Sequence, residues 1–101
     1  MSTVRRGLGT WPSRGDVIPL ANLPEGKEAV VVAIVAGRGL ARRLAEMGFT
    51  RGEKVKMLRS GPGPVLVLVK GSRIAIGWGI AMKILVRDSV EEEEGHGITH
   101  P

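Results

Sequence analysis

The chain has 101 residues and no cysteine, which excludes disulfide bonds, thiolate metal sites and cysteine nucleophiles. Its hydrophobic fraction of 43%, with one Phe, two Trp and no Tyr, predicts one small domain with an aliphatic core. The net charge of +5 is unevenly distributed, at +2 over residues 1–16, +8 over 17–87 and −5 over 88–101, so a basic domain lies between a short arm and an acidic tail.

The first third of the chain predicts an arm followed by two strands. Residues 1–16 mix Gly, Ser, Pro and Arg without periodicity, which is typical of a flexible arm. Ile18 and Leu20 share one face of a short strand, whose proline favours the edge of a sheet. A turn over 22–26 then leads to the β-branched run 28–35, for which we expect a largely buried strand.

A short helix that stops sharply is the most specific local prediction. Leu40, Leu44 and Met47 recur at the spacing of one helical face, so all three are expected to pack in the core. Gly48 stands where the end of a helix needs a positive φ. Phe49 is placed to pack back on Leu44, which is the apolar contact of a Schellman motif.

The rest of the chain predicts further strands and a tail. Alternation, apolar runs and glycine turns indicate strands at 53–59, 65–69, 73–76 and 83–86, a tight turn at 71–72 and one helical turn at 80–82. Five or six short strands with one helix indicate a mainly β fold, a small β-barrel over residues 17–87. Residues 88–101 are predicted to be an acidic, disordered tail.

Two segments repeat one pattern. Leu23–Gly26 and Phe49–Gly52 each place an apolar residue three positions before a glycine that opens a strand. Because the similarity is limited to these positions, we interpret it as one turn device used twice rather than as a repeat of a whole unit.

Four segments resemble the FeoA-like domain family, which is found in the small cytoplasmic component of bacterial and archaeal ferrous iron transport systems. They are IPLANLPEG (18–26), RRLAEMGFTRG (42–52), SGPGPVLVLVKG (60–71) and IAMKILV (80–86). The resemblance implies an SH3-like small β-barrel with a helix inserted between two early strands. It also implies an accessory or regulatory protein that acts with the membrane GTPase-permease of such a system, in the cytoplasm or at the inner face of the membrane.

Exposed cations and one tryptophan are the candidate partner-binding residues. Arg42, Arg43 and Arg51, near Arg38, form a candidate patch for an acidic partner. Alternatively, Arg43 caps carbonyl groups or packs its stem on the barrel, and Arg42 is simply solvated. Trp78, which is flanked by two glycines, either anchors a protein contact or plugs one end of the barrel. A third group of cations is predicted to be an ordinary solvated strand face: Lys54, Lys56 and Arg59.

Metal binding and catalysis have little support. His96 and His100, beside Glu91–Glu94, are weak metal candidates, but the surrounding glycines favour a solvated tail without a metal. No cofactor is expected, and no enzymatic activity, because the carboxylates of the domain lack an acid–base partner. Those carboxylates are Glu25, Glu28, Glu46 and Glu53.

Three functions remain. The leading hypothesis is an interaction module that docks on the cytoplasmic part of a ferrous iron transporter. The second is nucleic-acid binding by a small basic barrel, against which stands the small number of aromatic side chains for stacking: Trp11, Phe49 and Trp78. The third is a stand-alone regulatory domain related to the C-terminal domain of metal-dependent repressors. No apolar run approaches the ~20 residues that span a bilayer, so no membrane insertion is expected, and edge strands suggest a weak homo-oligomer.

Overall fold

The computed structural model describes residues 16–89, which form six strands and two helices. The strands are β1 (Val17–Pro19), β2 (Glu28–Ile34), β3 (Lys54–Arg59), β4 (Val65–Val69), β5 (Ser72–Ile76) and β6 (Ile84–Asp88). Helix α1 (Arg38–Glu46) lies between β2 and β3, helix α2 (Trp78–Ala81) lies between β5 and β6, and a 3-10 turn (Leu20–Asn22) follows β1. Neither helix of this part of the chain has the length and apolar character needed to cross a bilayer.

All six strands belong to one antiparallel sheet in the order β1–β6–β2–β3–β4–β5. Pro19 lies in the edge strand β1, where the missing N–H costs least in ladder hydrogen bonds. The pairing register shifts between Val31 and Ala33 in β2 and between Met57 and Arg59 in β3, and such irregularities bend a sheet. The predicted mainly β fold, with a helix inserted between two early strands, is confirmed.

One buried cluster holds the sheet together. Alternate residues of β3 and β4 face it, as the period of two in a strand requires. Phe49 is its largest fully buried side chain, and the rest are aliphatic or methionine, so the cluster confirms the predicted aliphatic core. Fully burying one such side chain contributes roughly 1.5–3 kcal/mol.

The two segments with the same sequence pattern form the same structure. Gly26 and Gly52 adopt φ values of +85 and +90. Their N–H groups donate to the carbonyls of Met57 (2.7 Å) and Val31 (2.8 Å), and those two residues donate back to the residue after each glycine. Each glycine thus opens a G1 bulge, one at each end of the β2–β3 ladder. The apolar residue three positions before each glycine is buried: Leu23 and Phe49.

Four predictions about the strands need correction. Leu20 belongs to the 3-10 turn rather than to the first strand, and Asp88 is buried in β6 rather than part of a disordered tail. The burial of β2 ends early, because the register shift after Val31 changes which residues face the core, and Val35 beyond the strand is 60% exposed. The β4–β5 turn is formed by Lys70–Gly71 rather than by residues 71–72. Lys70 adopts a φ of +52, which lets Val69 pair directly with Ser72.

Candidate functional site

A shallow groove lies between helix α1 and the segment that joins β5 to α2. Its volume is about 280 Å³, just below the range of ~300–1,000 Å³ typical of small-molecule sites. Leu40 and Met47 line it from α1, Gly77 and Ile80 line it from the other side, and Arg43 is the one charged side chain in the lining. An apolar depression with a single cation suits contact with a protein segment better than it suits chemistry.

Leu44 anchors α1 to the barrel and thereby places the other groove residues. It is 2% exposed, whereas Leu40, one turn before it, is half-buried. The prediction that Met47 packs in the core is wrong, because its side chain is 38% exposed and lines the groove. Met47 is the C-cap of α1, and two residues later the fully buried Phe49 takes the core position at this end of the helix.

The end of α1 has the predicted Schellman geometry. Gly48 has a φ of +111, and its N–H donates to the Ala45 carbonyl at 3.0 Å. The Phe49 N–H donates to the Leu44 carbonyl at 3.0 Å, which completes the pair of hydrogen bonds that defines the motif. A Cβ at position 48 would lie 3.3 Å from Val69 Cγ2. The end of α1 that carries Met47 therefore lies close against the end of β4.

Helix α2 forms the opposite wall and begins two residues earlier than predicted. Gly77 is its N-cap, and the Gly77 carbonyl accepts hydrogen bonds from the N–H groups of Ile80 (3.1 Å) and Ala81 (3.0 Å). Ala81 is fully buried and fixes the helix to the core, while Ile80 lines the groove. Trp78, the first residue of α2, is 43% exposed, which is more than a plug of the barrel would show. Its role as an anchor stays a prediction.

The predicted arginine patch is distributed over different places. Arg43 lines the groove, because it lies three residues after Leu40 and four before Met47, on the same helical face. Arg42, about 100° away around the helix, is exposed but is not part of the lining. Arg51 lies in the turn before β3 and is also exposed. The spacing of Arg43 from Leu40 and Met47 was the sequence signal that could have separated it from Arg42.

The metal candidates His96 and His100 lie outside the described residues. Within residues 16–89, no group of three or more His, Cys, Asp or Glu side chains is arranged to hold a metal ion. Two carboxylates of the domain have structural partners instead. Glu25 Oε2 accepts a hydrogen bond from the Ser60 N–H at 2.9 Å, and Glu53 Oε1 lies 3.1 Å from Lys70 Nζ.

Comparison with known proteins finds relatives over most of the chain. A family model described as the FeoA domain matches residues 18–88. A protein of Methanocaldococcus jannaschii named putative Fe(2+) transport protein A is 51% identical over 71 residues, which are 70% of this chain and 87% of that protein. The zinc complex of Stenotrophomonas maltophilia FeoA, described as a procaryotic SH3 domain protein, is 37% identical with a TM-score of 0.62 and covers 71% of this chain and 91% of its own.

The fold extends to a different class of protein. A manganese-dependent transcriptional repressor is 19% identical with a TM-score of 0.67, over 75% of this chain and 44% of the repressor. At this identity the likeness concerns the fold alone. The six-stranded sheet and the SH3 description of the zinc-bound relative together confirm the predicted SH3-like barrel.

Proposed function

We propose that this chain, which belongs to the FeoA domain family, is a non-enzymatic accessory protein of ferrous iron transport that docks on the cytoplasmic part of a membrane GTPase-permease. The groove between α1 and α2 carries the proposal. The iron-transport role is supported by two relatives, one named putative Fe(2+) transport protein A and one described as 'possibly acting as a bacterial ferrous iron transport activating factor'.

The groove combines the side chains that protein interfaces favour. Methionine, tryptophan and arginine are enriched at such interfaces, and here Met47 and Arg43 line the groove while the half-exposed Trp78 lies between Gly77 and Ile80 in the chain. A partner segment that presents an apolar side chain beside a carboxylate would fill the depression and pair with Arg43. Since the groove is small, the contact is weak and reversible, as a regulatory association requires.

A charged residue substituted into the groove wall should weaken the binding of this chain to the transporter. Met47→Glu places a carboxylate in the apolar lining, and we expect its affinity for the transporter to fall at least about tenfold, equivalent to about 1.4 kcal/mol. The measurement is isothermal titration of the full-length transporter and of its isolated G domain with each variant. Val35→Glu is the matched control, because Val35 is 60% exposed and is not part of the groove lining.

Substitution of two neighbouring arginines distinguishes binding at the groove from a general effect of surface charge. Arg43→Glu is expected to weaken binding more than Arg42→Glu, since both make the same change in charge on one helix but only Arg43 lines the groove. Circular dichroism confirms that each variant is folded. Wild-type protein that binds neither the transporter nor its G domain would refute the proposed function, and equal losses for both arginine variants would move the contact away from the groove.

Nucleic-acid binding has less support. Phe49 is fully buried, so Trp78 is the aromatic side chain within residues 16–89 that is exposed for base stacking. Single-stranded RNA or DNA that binds with a steep salt dependence, and that is released by Trp78→Ala, would favour this alternative.

A further inference from the structure

The outer face of strands β3, β4 and β5 carries a row of cations. Val55, Met57, Val67 and Val69 are buried, so the intervening residues of β3 and β4 face away from the core. Register places Lys56 opposite Leu68, and Leu68 opposite Arg73, in one row across the three strands. In a second row, Arg59 lies opposite Leu66. We call these five residues the basic face: Lys56, Arg59, Leu66, Leu68 and Arg73.

The basic face keeps a positive charge when its neighbours are counted. Glu28 on β2 lies opposite Lys56 and is the carboxylate that continues the first row. Glu25 is a second carboxylate near the face, because it accepts a hydrogen bond from the N–H of Ser60, the residue after Arg59, at 2.9 Å. Two negative charges therefore stand against three positive ones. Two further acidic residues lie near this end of the sheet: Glu53 is paired with Lys70 at 3.1 Å, and Asp88 is buried. The basic face therefore keeps a small excess of positive charge, which attracts an anionic group.

The last residue of β6 lies in the cross-strand row next to the first row of the basic face. Asp88 pairs with Ala29, Ala29 pairs with Val55, and Val55 pairs with Val69, so all four stand in one cross-strand row. That row is adjacent to the row of Lys56, Leu68 and Arg73. Because neighbouring strands are about 4.8 Å apart, β3 lies roughly 10 Å and β5 roughly 19 Å from β6 along the sheet.

The chain beyond β6 has the charge and the length to cover the face. Glu91–Glu94 follow Asp88 by three to six residues. Ser89, the last described residue, is buried, so the tether starts there. At about 3.3 Å per extended residue, Glu91–Glu94 reach roughly 7–17 Å from Ser89, which matches the distances to β3 and β4. Four consecutive carboxylates, Glu91–Glu94, are thus tethered close to the three cations of the basic face.

We propose that the acidic segment Glu91–Glu94 docks on the basic face of its own domain. The contact consists of solvent-exposed charge pairs, so it is weak, screened by salt and maintained by the high local concentration of a tethered segment. It covers the three cations of the basic face and so disfavours non-specific polyanions there. The groove, whose lining shares no residue with the basic face, stays open to a partner.

A spin label on the tail tests the proposal in the full chain. The chain has no cysteine, so Gly95→Cys gives a single site for a nitroxide next to the four glutamates. At low salt, we expect loss of NMR peak intensity at the amides of Lys56, Leu68 and Arg73 and little loss at Arg42 on α1. Addition of 1 M NaCl, which shortens the Debye length to about 3 Å, should restore the intensity.

Matched charge variants make the test specific. Replacing Glu91–Glu94 by Gln, or Lys56 and Arg73 by Gln, should abolish the intensity loss, whereas replacing Arg38 and Arg42 by Gln removes the same charge and should leave it unchanged. The proposal is overturned if there is no localised loss at low salt, or if only the Arg38 and Arg42 variant abolishes it. Loss that appears when spin-labelled protein is mixed with unlabelled, nitrogen-15-enriched protein would assign the contact to a second copy and also overturn it.

Discussion

Gly48 is the residue on which the end of helix α1 depends, because its backbone and its surroundings both disfavour a side chain. Its φ of +111 lies in a region that L-residues rarely adopt, and an added Cβ would meet Val69 Cγ2 at 3.3 Å. Gly52 has a φ of +90 but open space around it. Gly39, inside α1, has neither a positive φ nor a close neighbour. Comparison of the three glycines therefore distinguishes the cost of backbone strain from the cost of steric contact when a side chain is added.

Alanine at the three glycines should give a graded response. Gly48→Ala is expected to lower the free energy of unfolding by about 2–4 kcal/mol, because strain and contact both contribute. Gly52→Ala should cost about 1–2 kcal/mol from strain alone, and Gly39→Ala should stabilise the helix by up to about 1 kcal/mol. Urea unfolding measures all three. Equal losses at positions 48 and 52 would show that Val69 moves aside without cost.

In the β4–β5 hairpin, Lys70 has a strained backbone conformation and also forms an ion pair, and the two have opposite effects on stability. Lys70 and Gly71 join the strands at φ values of +52 and +79, as a type I′ turn requires. A left-handed conformation costs a lysine roughly 1–2 kcal/mol. The ion pair of Lys70 with Glu53 stabilises the fold by about 0–1 kcal/mol, since the lysine side chain is 58% exposed. Turn geometry therefore outweighs the ion pair in this element.

Lys70→Asn should stabilise the protein by about 0.5–1 kcal/mol, because Asn-Gly is the preferred type I′ pair. Glu53→Gln is the control, since it removes the ion pair and leaves the turn unchanged; its expected cost is below about 0.5 kcal/mol. Thermal and urea unfolding of both variants measure the difference. A loss in Lys70→Asn equal to that in Glu53→Gln would contradict this ranking and give the ion pair the larger role.

At the scale of the whole molecule, the hydrophobic core closes within the described part of the chain. Its buried apolar residues run from Leu20 to Val86, and Phe49 and Leu23 reach it from the two equivalent turns. The two edge strands, β1 and β5, belong to the same sheet. Leu20, in the 3-10 turn after β1, is part of the core. Within the described residues, the apolar burial that stabilises the fold therefore lies between residues 17 and 88.

A chain trimmed to residues 16–89 should keep its stability. We expect its free energy of unfolding to lie within about 1 kcal/mol of the full chain, because the core residues are all retained and surface charge pairs contribute little. Urea unfolding of the trimmed and full chains at matched ionic strength checks this. A loss of several kcal/mol would mean that residues outside this range contribute to the core.

Much of the fold was predictable because its signals are local. The end of α1 follows from Gly48 and Phe49, and the two turn devices follow from glycines three residues after an apolar position, since only the nearby backbone has to be satisfied. The hairpin turn lies one residue earlier than the sequence predicts, because Lys70 adopts a positive φ against the usual preference of its residue type.

The sequence by itself determined the strands, the helix with its stop, the turn devices and the family. Only the tertiary structure decided which surfaces those elements create. Met47 and Ile80 meet across one groove, and Lys56 and Arg73 lie in one row, through pairings between distant parts of the chain. Periodicity states which residues share a face of an element, but strand order, register and the packing of Phe49 decide what covers that face.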